Sequence, residues 1–122
     1  MAARLADTNV RVVEGDATNM AFENGSFSTV VALTMLHHVP SVELQDRLLA
    51  EVHRVLRPGG VFLGTDSRWS WPFQLIHIGD TMVIVDPFTF KARLERVGFA
   101  QITVESVARA FRFRARKKFA VR

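Results

Sequence analysis

The spacing of apolar residues along this chain switches between strand-like and helix-like periods. Val10–Glu14 is a short β-branched run, and Phe27–Thr34 a longer one in which Val30, Val31, Ala32 and Leu33 are contiguous. Near-continuous apolar runs suit strands covered on both faces. Between them, Asn24-Gly25 is a turn signal. Val42–Arg57 puts Leu44, Leu48, Val52 and Val55 on one stripe, with Leu49 and Leu56 beside it, and predicts an amphipathic helix. Ser41 stands at its N-cap, Glu43 in the first turn, Arg54 and Arg57 in the last, and Pro58-Gly59-Gly60 supplies the stop. Val61–Asp66 reads as the next strand. Strand, helix and strand make a βαβ unit, which implies a parallel pair and a right-handed crossover.

Ser67–Val85 crowds aromatic and aliphatic residues into one connection broken by Pro72 and Gly79. Asp86-Pro87 opens a second helix through Val97, stopped by Gly98. Gln101–Val107 and Ala110–Lys117 read as a hairpin. In the latter, Phe111-Arg112-Phe113-Arg114-Ala115-Arg116 alternates with period two, the pattern of a strand with one solvated face. The expected class is α/β.

With 122 residues, 48% of them hydrophobic and 23% charged, the chain has the make-up of one globular domain. It has no cysteine, so disulfides and thiolate metal sites are excluded, and a cytoplasmic setting is expected. No apolar segment follows Arg4 as a signal peptide requires, and the longest apolar run is too short to cross a bilayer. Charge is uneven. Residues 109–122 hold seven of the sixteen cations and none of the twelve acids, so the rest, nine cations against twelve acids, carries −3. A basic end can attract nucleic acid, but the period-two alternation favours a solvated strand.

In an open parallel sheet, ligands bind beyond the carboxyl ends of the strands. Asp16, His37, His38 and Asp66 each follow or close a strand-like run, so they are expected to line one edge of one sheet. An aspartate placed like Asp16 can accept from an exocyclic amine while the next backbone N–H meets a ring nitrogen; alternatively it caps the next turn. His37 and His38 can position an acceptor or take a proton; alternatively one of them packs the strand end against the helix. Trp69, Trp71 and Phe73 could wall an apolar substrate pocket or pack the connection onto the sheet. The four histidines, His37, His38, His53 and His77, show no H-x-x-x-H or H-E-x-x-H spacing, and no metal is expected.

Read in order, "VEGDATNMAFENGSFSTVVALTMLHHV…LLAEVHRVLRPGGVFLGTD" resembles the C-terminal portion of a class I S-adenosylmethionine-dependent methyltransferase of the small-molecule, type 11-like kind. The likeness covers Val10 to Asp66 and continues more weakly to the C-terminus. It implies a truncated Rossmann-like methyltransferase sheet, with parallel strands, a C-terminal antiparallel hairpin and flanking helices. It also implies S-adenosyl-L-methionine as cofactor, with Asp16 at the adenine amine, Ala17 as the backbone contact, and Leu33 and Thr34 beneath the methionine part. Residues 1–122 are then a single partial domain: 1–9 the end of a helix, 10–66 core strands and helix, 67–122 connection, helix and hairpin.

Departures from the family pattern qualify what the resemblance implies. The family's glycine-rich turn and the acidic residue that follows its second strand have no counterpart: the chain contains no G-x-G. Ser28 follows Phe27 where the family commonly has an aspartate. Two absent strands would lie between Val10–Glu14 and Phe27–Thr34 in the family's order, leaving an unpaired inner edge on each. The expected activity is therefore methyl transfer to a small-molecule acceptor, impaired or absent in this chain, with the cofactor bound weakly or not at all. The alternative is a non-catalytic α/β module that forms homo-oligomers or pairs with a partner through open strand edges. Neither nucleic acid nor membrane is expected as a partner.

Overall fold

The computed structural model of the chain describes residues 8–67 and 85–120. Four strands form one sheet: β1 (Phe27–Leu33), β2 (Leu56–Ser67), β3 (Phe99–Val107) and β4 (Ala110–Lys117). Their spatial order is β1-β2-β4-β3. β1 and β2 run parallel, joined through a one-turn 3-10 segment (Leu36–His38) and helix α1 (Val42–Val55). Helix α2 (Pro87–Val97) leads into the β3–β4 hairpin, and β4 pairs antiparallel with β2.

The helix limits follow from their caps. Ser41 Oγ accepts from Leu44 N at 3.1 Å, and Asp86 Oδ1 accepts from Phe88 N at 2.9 Å. Gly98, at φ +121°, closes α2, a conformation that suits glycine. α1 ends two residues earlier than its apolar stripe suggests, because Leu56 already pairs with Phe27 in the sheet. Arg57-Pro58-Gly59-Gly60 is thus a bulge within β2 rather than a stop beyond the helix: Phe27 pairs with Leu56, and Thr29 with Val61. Two C-terminal cations satisfy its carbonyls, Lys117 Nζ on Leu56 O and Arg116 on Gly59 O, both at 2.8 Å.

Both helices pack on one face of the sheet. Phe62, Phe111, Phe113 and Ala115 meet Leu48, Leu49 and Val52 of α1 and Phe90 and Leu94 of α2 in one core. The aromatic rings stack edge-on, Phe62–Phe113 and Phe90–Phe113 each at 4.9 Å between centroids. Arg112 and Arg114 project to the other face and are exposed, as the alternation requires. Among the described residues no helix covers that face, and Val31 and Leu33 of β1 are 52% and 68% exposed.

Val10–Glu14 forms no strand; it is irregular, and Val10, Val12 and Val13 are each more than half exposed. A β-branched run becomes a strand only when a neighbour completes its ladder, and no strand of this sheet pairs with it. Among the described residues the parallel part therefore has two strands, not three, and β1 stands at the edge of the sheet. Of the helix end expected over 1–9, only Thr8 and Asn9 are described, and they form a bend.

Candidate functional site

Beyond the carboxyl end of β1 the chain turns sharply. Thr34 adopts φ +53° while its N–H still reaches Thr65 O at 2.8 Å, so the ladder continues as the direction changes. The 3-10 turn then places neighbouring histidines in opposite environments. His37 is buried and His38 exposed, with ring centroids 4.0 Å apart.

Two cavities flank the segment Gly15-Asp16-Ala17. The larger, about 540 Å³, lies between that segment, Met35, His38, Val39 and Pro40 after β1, and Leu44 and Leu48 of α1. The smaller, about 260 Å³, is bounded by residues of 13–22, among them Asn19, Met20 and Phe22. The tripeptide is thus a partition with a cavity on either side. Asp16 Oδ1 accepts from Thr18 N at 2.8 Å and from Thr18 Oγ1 at 2.7 Å, which lowers its pKa below the ordinary carboxylate value. Oδ2 takes part in neither bond, and the carboxylate is exposed. The turn-capping and ligand-facing roles are compatible.

The loop carrying this partition is clamped by α1. Glu51 Oε2 accepts from Met20 N at 2.7 Å, and Arg54 donates to Phe22 O at 2.7 Å, Asn24 Oδ1 at 2.9 Å and Met20 O at 3.0 Å. The two side chains also pair with each other, Arg54 Nε to Glu51 Oε1, at 2.8 Å. The Arg54 hydrogen bond, followed by that from Met20 N–H, pulls the Glu51 carboxyl down to about 2. In the sequence Arg54 shows only as a cation opposing the helix dipole; nothing local signals its reach to residues thirty positions away.

A second set of bonds fixes the turn after β1. Gln45 is buried; its amide donates to Leu36 O at 3.1 Å and accepts from Arg93 of α2 at 3.0 Å, while Arg93 also pairs with Asp46 at 2.8 Å. Asp66, fully buried at the end of β2, accepts from the backbone N–H of His37 at 3.2 Å and is 2.6 Å from its Nδ1. It also accepts from Ser67 N at 2.7 Å.

The expected site residues therefore separate. Asp16, Ala17 and His38 share one cavity. His37 and Asp66 lie beneath the rim, bound to each other, rather than facing it. Leu33 lies against a different hollow on the opposite sheet face, with Leu63, Thr65, Arg112 and Arg114. Thr34 contributes the backbone turn. Trp69, Trp71 and Phe73 lie outside the described residues. Among the described residues no cluster of His, Asp and Glu could hold a metal ion, and no helix is long and apolar enough to cross a membrane.

Residues 1–64 match the family model described as a methyltransferase domain. Over 56 residues the chain is 50% identical to phthiotriol/phenolphthiotriol dimycocerosates methyltransferase 1 of Mycobacterium ulcerans, a match covering 46% of this chain and 20% of that protein. It is 43% identical over 56 residues to fatty-acid O-methyltransferase of Mycolicibacterium smegmatis, covering 46% and 19%. The match thus spans about a fifth of the length of these curated relatives. In three dimensions the chain is similar to phosphoethanolamine N-methyltransferase 2 of Haemonchus contortus, solved with phosphomonomethylethanolamine and S-adenosylhomocysteine. The TM-score is 0.71 at 17% identity, covering 84% of this chain and 36% of that one.

Proposed function

Because the chain belongs to the methyltransferase domain family, whose members use S-adenosylmethionine, we propose that it carries the adenine-side and acceptor-side walls of a methyl-transfer site. The observation that carries this reading is the cavity shared by Asp16, Ala17 and His38. The residues present fit the nucleoside end of the cofactor. Oδ2 of Asp16 can accept from an exocyclic amine, the Ala17 N–H can meet a ring nitrogen, and apolar Met35, Leu44 and Leu48 give a ring a surface to lie on. When bound, the cofactor supplies an electrophilic methyl group on a sulfonium. This chain's part is to hold the nucleoside end, exclude water on the α1 side, and present His38 at the rim, where it can take a proton from the acceptor. His37 stays below, positioning rather than touching.

The name of the Mycolicibacterium smegmatis relative, a fatty-acid O-methyltransferase, supports an acceptor with an aliphatic portion. The sequence offers no glycine-rich turn to approach the cofactor closely and no acidic residue in the family's place for the ribose hydroxyls. Calorimetry with S-adenosylhomocysteine tests the reading: one saturable site per chain, weakened at least tenfold by Asp16→Ala with an unchanged circular dichroism spectrum. Binding indifferent to that substitution, or no binding at millimolar ligand, refutes it.

A second reading has its own observation. Among the described residues no strand pairs with the outer edge of β1, beside the exposed Val31 and Leu33, and such an edge can add a strand from another copy of the chain. Sedimentation discriminates, since a strict monomer at high concentration excludes homo-oligomers built on that edge.

A further inference from the structure

The geometry points to Asp66 as a positioning residue: through His37 it sets the orientation of His38 at the mouth of the larger cavity. Three observations converge. Asp66 is fully buried, and all three of its bonds go to donors at the carboxyl ends of the parallel pair: Ser67 N continuing β2, and His37 N and Nδ1 after β1. With Asp66 accepting, the 2.6 Å contact puts the proton on Nδ1 and selects one tautomer; the contact itself fixes one ring orientation of His37. The His37 ring, so fixed, lies 4.0 Å from that of His38, which lines the cavity beside Asp16 and Ala17.

A buried carboxylate is costly unless its acceptors are filled. A role limited to tying two strands together needs no histidine ring; the backbone bond from His37 N alone would serve. The ring bond adds what the strand tie does not need, a fixed aromatic surface beneath the exposed histidine. Gln45 braces the same turn from α1 through Leu36 O, so the backbone that carries the ring is held as well.

The ligand arm of the test rests on the proposed cofactor site; the spectroscopic arm does not. In the full chain with 15N-labelled histidine, His37 is expected to show an Nδ1-protonated ring with a slowly exchanging N–H. Asp66→Asn should abolish that signature and shift the ring resonances of His38, and S-adenosylhomocysteine affinity should fall about fivefold. His37→Gln, which keeps an amide donor for Asp66 but removes the ring, should also shift His38 while leaving the urea midpoint nearer the wild type than Asp66→Asn does. If Asp66→Asn fails to fold, His37→Gln decides. Unmoved His38 resonances in every folded variant overturn the proposal even where the ligand binds. Absence of ligand binding to the wild type, with the His38 shifts intact, instead refutes the cofactor site and leaves the positioning role standing.

Discussion

Replacing Glu51 by Gln probes the clamp that holds the cavity partition. The substitution keeps the side chain's shape and an oxygen for Met20 N, but removes the charge paired with Arg54. In the folded chain this carboxyl titrates at about 2 against an ordinary 4.5. At about 1.4 kcal/mol per pH unit, that difference sets a ceiling of about 3 kcal/mol. Arg54 leaves 31% of its side chain in solvent, and screening there reduces the expected loss to about 1–2 kcal/mol at pH 7. The sign follows from linkage: a carboxyl whose folded pKa is depressed stabilises the fold above 4.5, and that contribution drains away as pH falls from 4.5 toward 2. Urea unfolding followed by circular dichroism, from pH 7 down to pH 2.5, should therefore show wild type and Glu51→Gln converging. Asp16 and Glu105, whose carboxyls are also lowered, titrate in both proteins and cancel in the difference. A gap that stays constant through the acid range, or is absent at pH 7, would refute the reasoning.

Gly64→Ala should be among the most damaging single changes in the sheet. Its Cβ would fall on the Ala32 carbonyl and 3.0 Å from the Phe113 ring, costing about 3 kcal/mol or more, read as a lowered urea midpoint. His53 should make the protein acid-sensitive. Burial first, then Lys117 and Lys118, push its pKa below 6.5. The neutral form is therefore favoured by folding, and stability declines as pH drops below about 6.5. His53→Gln should flatten that decline between pH 7.5 and 5.5, and an unchanged slope in thermal melts counts against it.

Elements written in local pattern were legible in the sequence. The α1 stripe, its Ser41 cap, the Asp86-Pro87 start of α2 and the Phe-Arg alternation of β4 depend on neighbours within a turn or a pleat. Asp16 and His38 line one cavity although Asp16 follows no strand, so a shared strand-end rim does not account for their meeting. What failed to show was set by partners far along the chain. Val10–Glu14 has strand composition but lacks a ladder neighbour. Arg57-Pro58-Gly59-Gly60 looks like a helix stop, yet pairing of Leu56 with Phe27 makes it a bulge, and Arg116 and Lys117 return from the C-terminus to serve it. Asp66 reads as a rim carboxylate, yet it is fully buried in register with Phe111 of β4, a pairing set 45 residues along the chain.

Crowding both helices onto one side sorts the strand residues into two populations with separate duties. Alternate positions such as Phe62 and Phe113 answer to the interior and tolerate little change. Their immediate neighbours Leu63 and Arg114 answer only to whatever meets the outer surface. Recoding that outer set could alter solubility or self-association while leaving the packed interior, and the rim it supports, as they are.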